Sequence, residues 1–236
     1  MKIRNIRVKN LNKKTKYQSK IDQFSSHQLI KKQIFSFNFN NPKILDVGCY
    51  KGDLLKSLSN HYPKCYLIGL DTNYFINGKT EKIRFIKHDF NDSEKIKSLK
   101  IPKCDVIILG DILEHLVNPL KSLQVVKQIR NKNSKVFISI PNSGHWYFRI
   151  KVLFGKFNYE KNGLFDETHL RFYTLRTIRE LISKSNLEII CLDYSSTPWE
   201  NIFKNRTFTQ ILSKIERLLI FFRPQLFAYQ MVCTVK

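Results

Sequence analysis

The run Ile44-Leu45-Asp46-Val47-Gly48-Cys49-Tyr50-Lys51-Gly52-Asp53-Leu54-Leu55 constrains the fold of this chain more than any other stretch. Its apolar start, Lys43 to Val47, predicts a buried strand. Gly48 and Gly52 then let the backbone turn tightly and approach a ligand, which a Cβ would obstruct. Leu54, Leu55 and Leu58 supply one buried face of a helix that starts near Asp53. The N-terminus of such a helix points N–H groups at whatever sits on the turn, so the unit predicts a doubly wound α/β sheet that binds a nucleotide. The glycines are spaced G-x-x-x-G and preceded by an acid, whereas dinucleotide sites want G-x-G-x-x-G.

Downstream, apolar runs alternate with helical patterns. Cys65 to Leu70 predicts a second strand ending on Asp71, and Ile83 to Lys87 a third, closed by His88-Asp89-Phe90. Cys104 to Leu109 predicts a fourth strand, and Lys135 to Ile140 a fifth that Pro141-Asn142 ends. A lead-in helix is expected from Tyr17 to Phe35, a turn at Asn77-Gly78 and a short helix from Ser93 to Leu99. Asn118-Pro119 reads as cap and first turn of a helix with face Leu120, Leu123, Val126 and Ile129, and with Lys127, Arg130 and Lys132 at its C-terminal end. Residues 143–173 break the alternation as a long aromatic and basic loop, of a length that is usually functional. Thr174 caps a further helix carrying Leu175, Ile178, Leu181 and Ile182. Leu187 to Tyr194 predicts a sixth strand, and a helical insertion, about Thr207 to Phe222, leads to a last strand, Phe227 to Val235. The expected organisation is a basic N-terminal segment and lead-in helix over 1–40 and one domain over 41–236. That domain carries a substrate-side insertion at 143–173 and a helical insertion at 196–226.

Composition narrows the partners. A chain of 236 residues with 42% hydrophobic content supports one domain with a full core. The five cysteines are odd in number, far apart and without a C-x-x-C pair, so neither a disulfide framework nor a zinc site is expected. No acid pair suggests magnesium, and no metal is expected. The basic start is not followed by an apolar stretch, which fits a cytoplasmic protein. The longest apolar run, Leu218 to Phe222, is too short to span a bilayer. A net charge of +22 admits nucleic acid or an anionic membrane surface. That charge is spread along the whole chain, beside a single alanine and abundant Lys, Asn, Ile and Phe, a bias that AT-rich coding produces. Nucleic acid is therefore disfavoured as a partner.

From Asp46 to Gly52 the chain reads D-x-G-x-x-x-G, which resembles the first motif of class I S-adenosylmethionine-dependent methyltransferases; Tyr50 stands where many of these have glycine. Leu113-Glu114-His115-Leu116 resembles the L-E-H-L of many small-molecule methyltransferases. Pro141-Asn142-Ser143-Gly144-His145, followed by Asp166-Glu167-Thr168-His169-Leu170-Arg171-Phe172-Tyr173-Thr174, resembles a subgroup associated with bacterial polysaccharide and lipopolysaccharide biosynthesis. The resemblance covers roughly residues 44–235. It implies a Rossmann-like α/β domain with a seven-stranded mixed sheet, order 3-2-1-4-5-7-6, and helices on both faces. It also implies S-adenosyl-L-methionine as cofactor. Asp46 would hold its amino group, Gly48, Cys49 and Gly52 would form the turn, and Asp71 with Thr72 would take the ribose. Asp89 would accept from the adenine amino group beside the Phe90 N–H, with Gly110 and Asp111 at the methionine end. For Asp89 a helix cap is the alternative reading, and Glu114 with His115 could instead order a loop.

The implied reaction is methyl transfer to a small-molecule or glycan acceptor, at a hydroxyl, in polysaccharide or related metabolite biosynthesis. A hydroxyl acceptor calls for a base, and imidazole suits proton transfer near neutral pH. His169 comes first, then His145 and His115. Asn142, Asp166, Arg171 and Tyr173 are acceptor-side candidates, Arg171 because a guanidinium grips a carboxylate or phosphate. A loop-stapling network with Arg171 paired to Asp166 is the alternative. The fourth strand ends in Gly110-Asp111-Ile112, without the [ND]-P-P-[YF] of amide or adenine methylation, and no Pro-Cys marks a pyrimidine carbon enzyme. A methionine-biosynthesis-type relative, a non-catalytic basic binding protein and an NAD-dependent oxidoreductase are the competing readings. Finally, Ile211, Leu212, Ile215, Leu218, Leu219 and Phe222 recur at helical spacing amid cations. This pattern suits peripheral contact at a membrane face, or an ordinary surface helix whose stripe packs on the sheet or a second subunit.

Overall fold

A computed structural model describes residues 25–73 and 82–236. The strands are β1 (Lys43–Val47), β2 (Tyr66–Asp71), β3 (Ile83–Lys87), β4 (Cys104–Gly110), β5 (Arg130–Pro141), β6 (Ile189–Ser195) and β7 (Gln230–Val235). The helices are α1 (Ser26–Phe35), α2 (Asp53–Ser59), α3 (Ser93–Ile96), α4 (Pro119–Ile129), α5 (Trp146–Leu153), α6 (Leu175–Lys184), α7 (Arg206–Phe222) and α8 (Pro224–Phe227). All seven strands join one sheet in the expected order, β3-β2-β1-β4-β5-β7-β6. β3 to β5 pair in parallel, and β7 runs antiparallel between β5 and β6.

The pleat divides each strand between two apolar layers. Leu45 and Val47 face Leu123, Val126, Ile178 and Ile182 of α4 and α6, whereas Ile44 joins Ile30, Ile34, Leu54, Leu55 and Leu58 of α1 and α2. Parallel strands covered on both faces read as continuous apolar runs, which is why β1, β2 and β4 were legible. α1 is stitched down as well as packed. The Gln33 amide donates to Asp193 Oδ2 (2.9 Å) and to the Val232 carbonyl (3.3 Å), and its oxygen accepts from Thr234 Oγ1 (2.7 Å).

Several boundaries differ from expectation. α1 begins at Ser26 behind the Ser25 side chain, which accepts from the Gln28 N–H. Residues 17–24 of the expected lead-in helix, the basic segment before them and the Asn77-Gly78 turn lie outside the described residues. β5 starts at Arg130 and not at Lys135, because Arg130 pairs with Cys104 before a register irregularity brings Lys135 opposite Val106. Arg130 and Lys132 are thus strand residues, and only Lys127 sits in the last turn of α4. That helix buries Ser122 and Val125 along with Leu123, Val126 and Ile129, while Leu120 is only half-buried. The expected loop at 143–173 contains α5. A short helix, α8, delays the last strand to Gln230, and β6 runs from Ile189 to Ser195.

Candidate active site at the C-terminal edge of the sheet

β1 ends in a turn that only permissive backbone can make. Gly48, Tyr50 and Gly52 all have positive φ (74°, 47° and 70°). A Cβ on Gly48 would stand 2.9 Å from Cδ1 of Ile112, so the turn also packs against the chain beyond β4. The N–H groups of Gly48 and Cys49 donate to the Leu70 carbonyl (2.7 and 3.2 Å), and that of Tyr50 reaches Asp71 Oδ2 at 2.8 Å. The other oxygen of Asp71 accepts from the Asn73 N–H (3.1 Å) and the Thr72 hydroxyl (3.4 Å). Asp71 is therefore oriented by both neighbouring turns. Asp46 lies behind it, buried; loss of solvent, and then the Asp71 charge, push its carboxyl up to about 8. Such a group keeps its proton until a cation arrives to pair with it. Gly69 was not singled out from sequence, yet a Cβ there would meet Cys49 Sγ at 2.6 Å and force the Cys49 side chain to shift.

After β3, Asp89 Oδ1 accepts from the Asn91 N–H (2.9 Å) and side-chain amide (3.1 Å). The helix-cap alternative for Asp89 does not hold: Asp92 accepts from the Lys95 N–H in front of α3. Phe90 is buried beside this turn. Asn91 in turn accepts from the Val117 N–H (2.8 Å), tying the β3 end to the segment after β4. At the end of β4, Gly110 leads into Asp111, which has a φ of 53°. Its Oδ1 accepts from Ser139 Oγ (2.7 Å) and Gln230 Nε2 (2.9 Å), and its N–H donates to the Ser139 carbonyl (3.0 Å). Ser139 and Gln230 were missed, although a serine inside the apolar run of β5 was a visible signal.

Two motifs that are far apart in the chain meet over this edge. The Leu170 and Arg171 N–H groups donate to the Glu114 carbonyl (2.9 and 3.1 Å). Arg171 Nε reaches the Leu116 carbonyl at 3.2 Å, and Nη2 binds that of Val117. Arg171 therefore staples the Leu113–Val117 turn and does not pair with Asp166, as the stapling alternative had it. Asp166 Oδ1 instead accepts from the Thr168 N–H (2.8 Å) and hydroxyl (2.5 Å). His115, 53 residues before Thr168, sets its Nδ1 3.0 Å from the Thr168 carbonyl and 3.1 Å from its hydroxyl. A carbonyl only accepts, so this Nδ1 carries a hydrogen. The ring of His169 packs edge-on to that of His115, with centroids 4.9 Å apart. Burial, and next the His115 ring, hold His169 below its ordinary range, while Asp166, Asp111 and a hydrogen bond to the Leu164 backbone pull the other way. Glu114 belongs to the same cluster: one donor atom from each of Glu114, His115 and His169 lies within 4.8 Å of the other two.

Other candidates are spoken for elsewhere. Asn142 is 1% exposed; its amide donates to the Gln225 and Ala228 carbonyls (3.1 and 2.8 Å) and accepts from the Gly144 N–H (3.0 Å). His145 is equally buried, with Nδ1 accepting from the Tyr147 N–H (3.3 Å) to cap α5 and Nε2 4.0 Å from Glu216. Burial pushes it down to about 4. Tyr173 is buried too, which raises its hydroxyl to about 12, and its carbonyl accepts from the Ser143 N–H. These three hold the 143–173 segment in place.

The family model described as "Methyltransferase domain" matches residues 15–192, well over half of the chain. The chain belongs to this methyltransferase family. Among curated proteins, none matches it. Solved structures with the same fold include an S-adenosylmethionine-dependent methyltransferase from Archaeoglobus fulgidus, 18% identical, with a TM-score of 0.60 over 89% of this chain and 92% of that one. Magnesium protoporphyrin IX methyltransferase from Synechocystis PCC 6803, with bound S-adenosylhomocysteine, is 13% identical, with a TM-score of 0.58 over 89% and 80% of the two chains. The plantazolicin methyltransferase BamL, solved with a desmethyl analogue and S-adenosylhomocysteine, is 16% identical, with a TM-score of 0.58 over 89% and 85%. The fold of this methyltransferase-family protein is the Rossmann-like class I architecture, and its glycine turn, Asp71 and Asp111 all stand at the C-terminal edge, where ligands bind in such sheets.

Proposed function

We propose that this protein transfers the methyl group of S-adenosyl-L-methionine to a hydroxyl of a small-molecule or glycan acceptor. The observation that carries this reading is the convergence of an oriented nucleoside acid, Asp71, and an imidazole pair, His115 and His169, on one sheet edge. Asp71 suits the ribose hydroxyls, and Asp46 the amino group of the methionine part, which supplies the cation that a buried acid wants. Asp89 with Phe90 borders the adenine, and Gly110 with Asp111 the sulfonium end. The bound S-adenosylhomocysteine in two neighbouring structures supports that cofactor.

Transfer is an in-line displacement, so the protein's main task is to hold acceptor oxygen and methyl carbon at near-attack distance. The remaining demand is the acceptor's proton, which the His115/His169 cluster serves, and a group of that kind contributes roughly a hundred- to ten-thousand-fold. Asp166 and Thr168 position His115, and Arg171 holds the turn that carries it. Calorimetry with S-adenosylmethionine, S-adenosylhomocysteine and NAD tests the reading: the first two should bind and NAD should not. A folded chain that binds neither sulfur ligand would sink it.

We also propose peripheral contact with an anionic membrane face through α7. The expectation that its stripe packs on the sheet is overturned. Phe208, Ile211, Ile215, Leu218, Leu219 and Phe222 are exposed, Leu218 and Phe222 by 60% and 68%. The face turned to the protein instead carries Thr209, Glu216 and Ile220, and Glu216 accepts from the Thr197 N–H (2.9 Å), the Thr197 hydroxyl (2.5 Å) and Trp199 Nε1 (2.9 Å). A net charge of +22 repels a second copy and attracts acidic lipid, so lipid is the favoured occupant. Among the described residues no helix is long and apolar enough to cross a membrane.

A further inference from the structure

Glu114, His115 and His169 present a donor set that nothing in the linear spacing announced. One oxygen and two nitrogens lie within 4.8 Å of one another, on a buried carboxylate and two imidazoles that are both partly shielded from solvent. Both imidazoles are already held by hydrogen bonds, as those of metal-binding histidines are. His115 donates Nδ1–H to Thr168, whose hydroxyl is held by Asp166, and the His169 ring is bonded to the Leu164 backbone. Asp111 and Asp166 add negative charge at the same spot, in a chain that is otherwise strongly basic. The turn carrying Glu114 and His115 is clamped to the segment carrying His169 by four hydrogen bonds to its carbonyls, so the three donors are held together by backbone as well as side chains.

We infer that Glu114, His115 and His169 form a site for a divalent transition-metal ion at the acceptor end of the active site. Imidazole nitrogens favour manganese, iron, cobalt, nickel or zinc over magnesium or calcium, which prefer an all-oxygen shell. Metal–imidazole bonds are about 2.0–2.1 Å, so small side-chain rotations close the three donors on an ion. Three protein ligands leave coordination positions open, and this deepens the methyl-transfer reading on which its catalytic part rests. The class of acceptor it selects offers two adjacent oxygens, such as the neighbouring hydroxyls of a sugar. The ion binds both and lowers the pKa of the hydroxyl to be methylated. That O–H gives its proton to solvent, and the oxygen's lone pair forms the new O–CH3 bond. The methyl–sulfur bond breaks with its electron pair on sulfur, releasing neutral S-adenosylhomocysteine. With the ion in place His115 and His169 act as ligands; without it His169 itself would have to take the proton.

The test uses the full, untagged chain freed of metal by chelation, then titrated with Co2+ and followed by visible d–d absorption, with Mn2+ and Zn2+ followed by calorimetry. One equivalent should bind, and Glu114→Gln and His169→Gln should each weaken it at least tenfold. His61→Gln, which alters an exposed histidine stacked on Phe35, should leave it unchanged. S-adenosylhomocysteine binding, measured on every variant, reports both the fold and the cofactor site. A chain that binds S-adenosylhomocysteine but takes up no ion, or whose uptake ignores both variants, overturns the metal site and leaves the methyl-transfer reading standing. An ion-binding chain that binds no S-adenosylhomocysteine does the reverse. Turnover that persists undiminished after chelation, in a chain shown to bind the ion, overturns the acceptor-activating role and returns the proton to His169.

Discussion

The backbone N–H of Tyr50 donates to Oδ2 of Asp71 across 2.8 Å, so the acid that ends β2 braces the glycine turn that ends β1. If Asp71 takes the ribose as proposed, cofactor grip and turn geometry are coupled. Asp71→Ala should weaken S-adenosylhomocysteine binding by about 1.5–3 kcal/mol, the scale for hydrogen bonds to a charged group. Calorimetry reads this as a roughly ten- to hundredfold loss, and an unchanged affinity would remove Asp71 from the site.

Tyr50 itself sits at a φ of 47°, where a side chain costs about 1–2 kcal/mol. Tyr50→Gly relieves that strain and adds about 0.5–1 kcal/mol of unfolded-state freedom, so stability should stay level or rise by up to about 1.5 kcal/mol. Gly48→Ala should instead lose at least about 1 kcal/mol, since its Cβ would press Ile112 from a left-handed backbone. Denaturant midpoints of the two variants should therefore move apart, and parallel losses would contradict the turn geometry.

Asp46 makes the unliganded protein pH-sensitive. Its folded pKa, about 8, lies above the value near 3.9 of an unfolded aspartate, so the folded state keeps a proton that the unfolded chain gives up. This contribution to stability is complete below about pH 4 and is lost as pH rises toward 8. Asp46→Asn should flatten that part of the stability profile relative to wild type. S-adenosylhomocysteine binding should release a proton from Asp46 and tighten as pH rises from 6 to about 8, which calorimetry in buffers of different ionisation enthalpy detects.

If the His115/His169 cluster serves the acceptor as proposed, His169→Gln should lower turnover at least roughly a hundredfold while leaving cofactor affinity nearly unchanged. Turnover that survives the change would make the His115/His169 contact a packing feature.

Liposome sedimentation tests α7. The protein should bind anionic vesicles at low salt and release as salt rises, with each nearby cation worth about 1 kcal/mol. Leu218→Asp with Phe222→Asp should abolish binding; both side chains are exposed, so the fold should persist. Indifference to anionic vesicles at low salt would end the membrane proposal.

Much of this molecule was readable along the chain because its causes are local. The runs at β1, β2 and β4 are apolar throughout, since both faces of those strands are covered. Asn118 and Thr174 cap helices by hydrogen bonds that span three residues, to Lys121 and Thr177. Asp71 and the glycine turn were readable as a candidate nucleoside site because backbone permissiveness and a strand-end acid are properties of short stretches. Contacts made across the fold were not readable. Arg130 to Ser134 look like a helix end followed by a polar loop, and become strand because Cys104 offers Arg130 a pairing partner. Asn142 and His145 look like site residues, and the packing of the 143–173 segment buries them to 1% exposure. Ser139 and Gln230 reach Asp111 only after β5 and β7 lie beside β4. The stripe of α7 was plain in the sequence, but its outward direction was not, because that direction depends on Glu216 being held by Thr197 and Trp199. Likewise Glu114, His115 and His169 become one cluster only when the Arg171 segment docks on the turn after β4, a hydrogen-bonded contact between groups that no sequence period links.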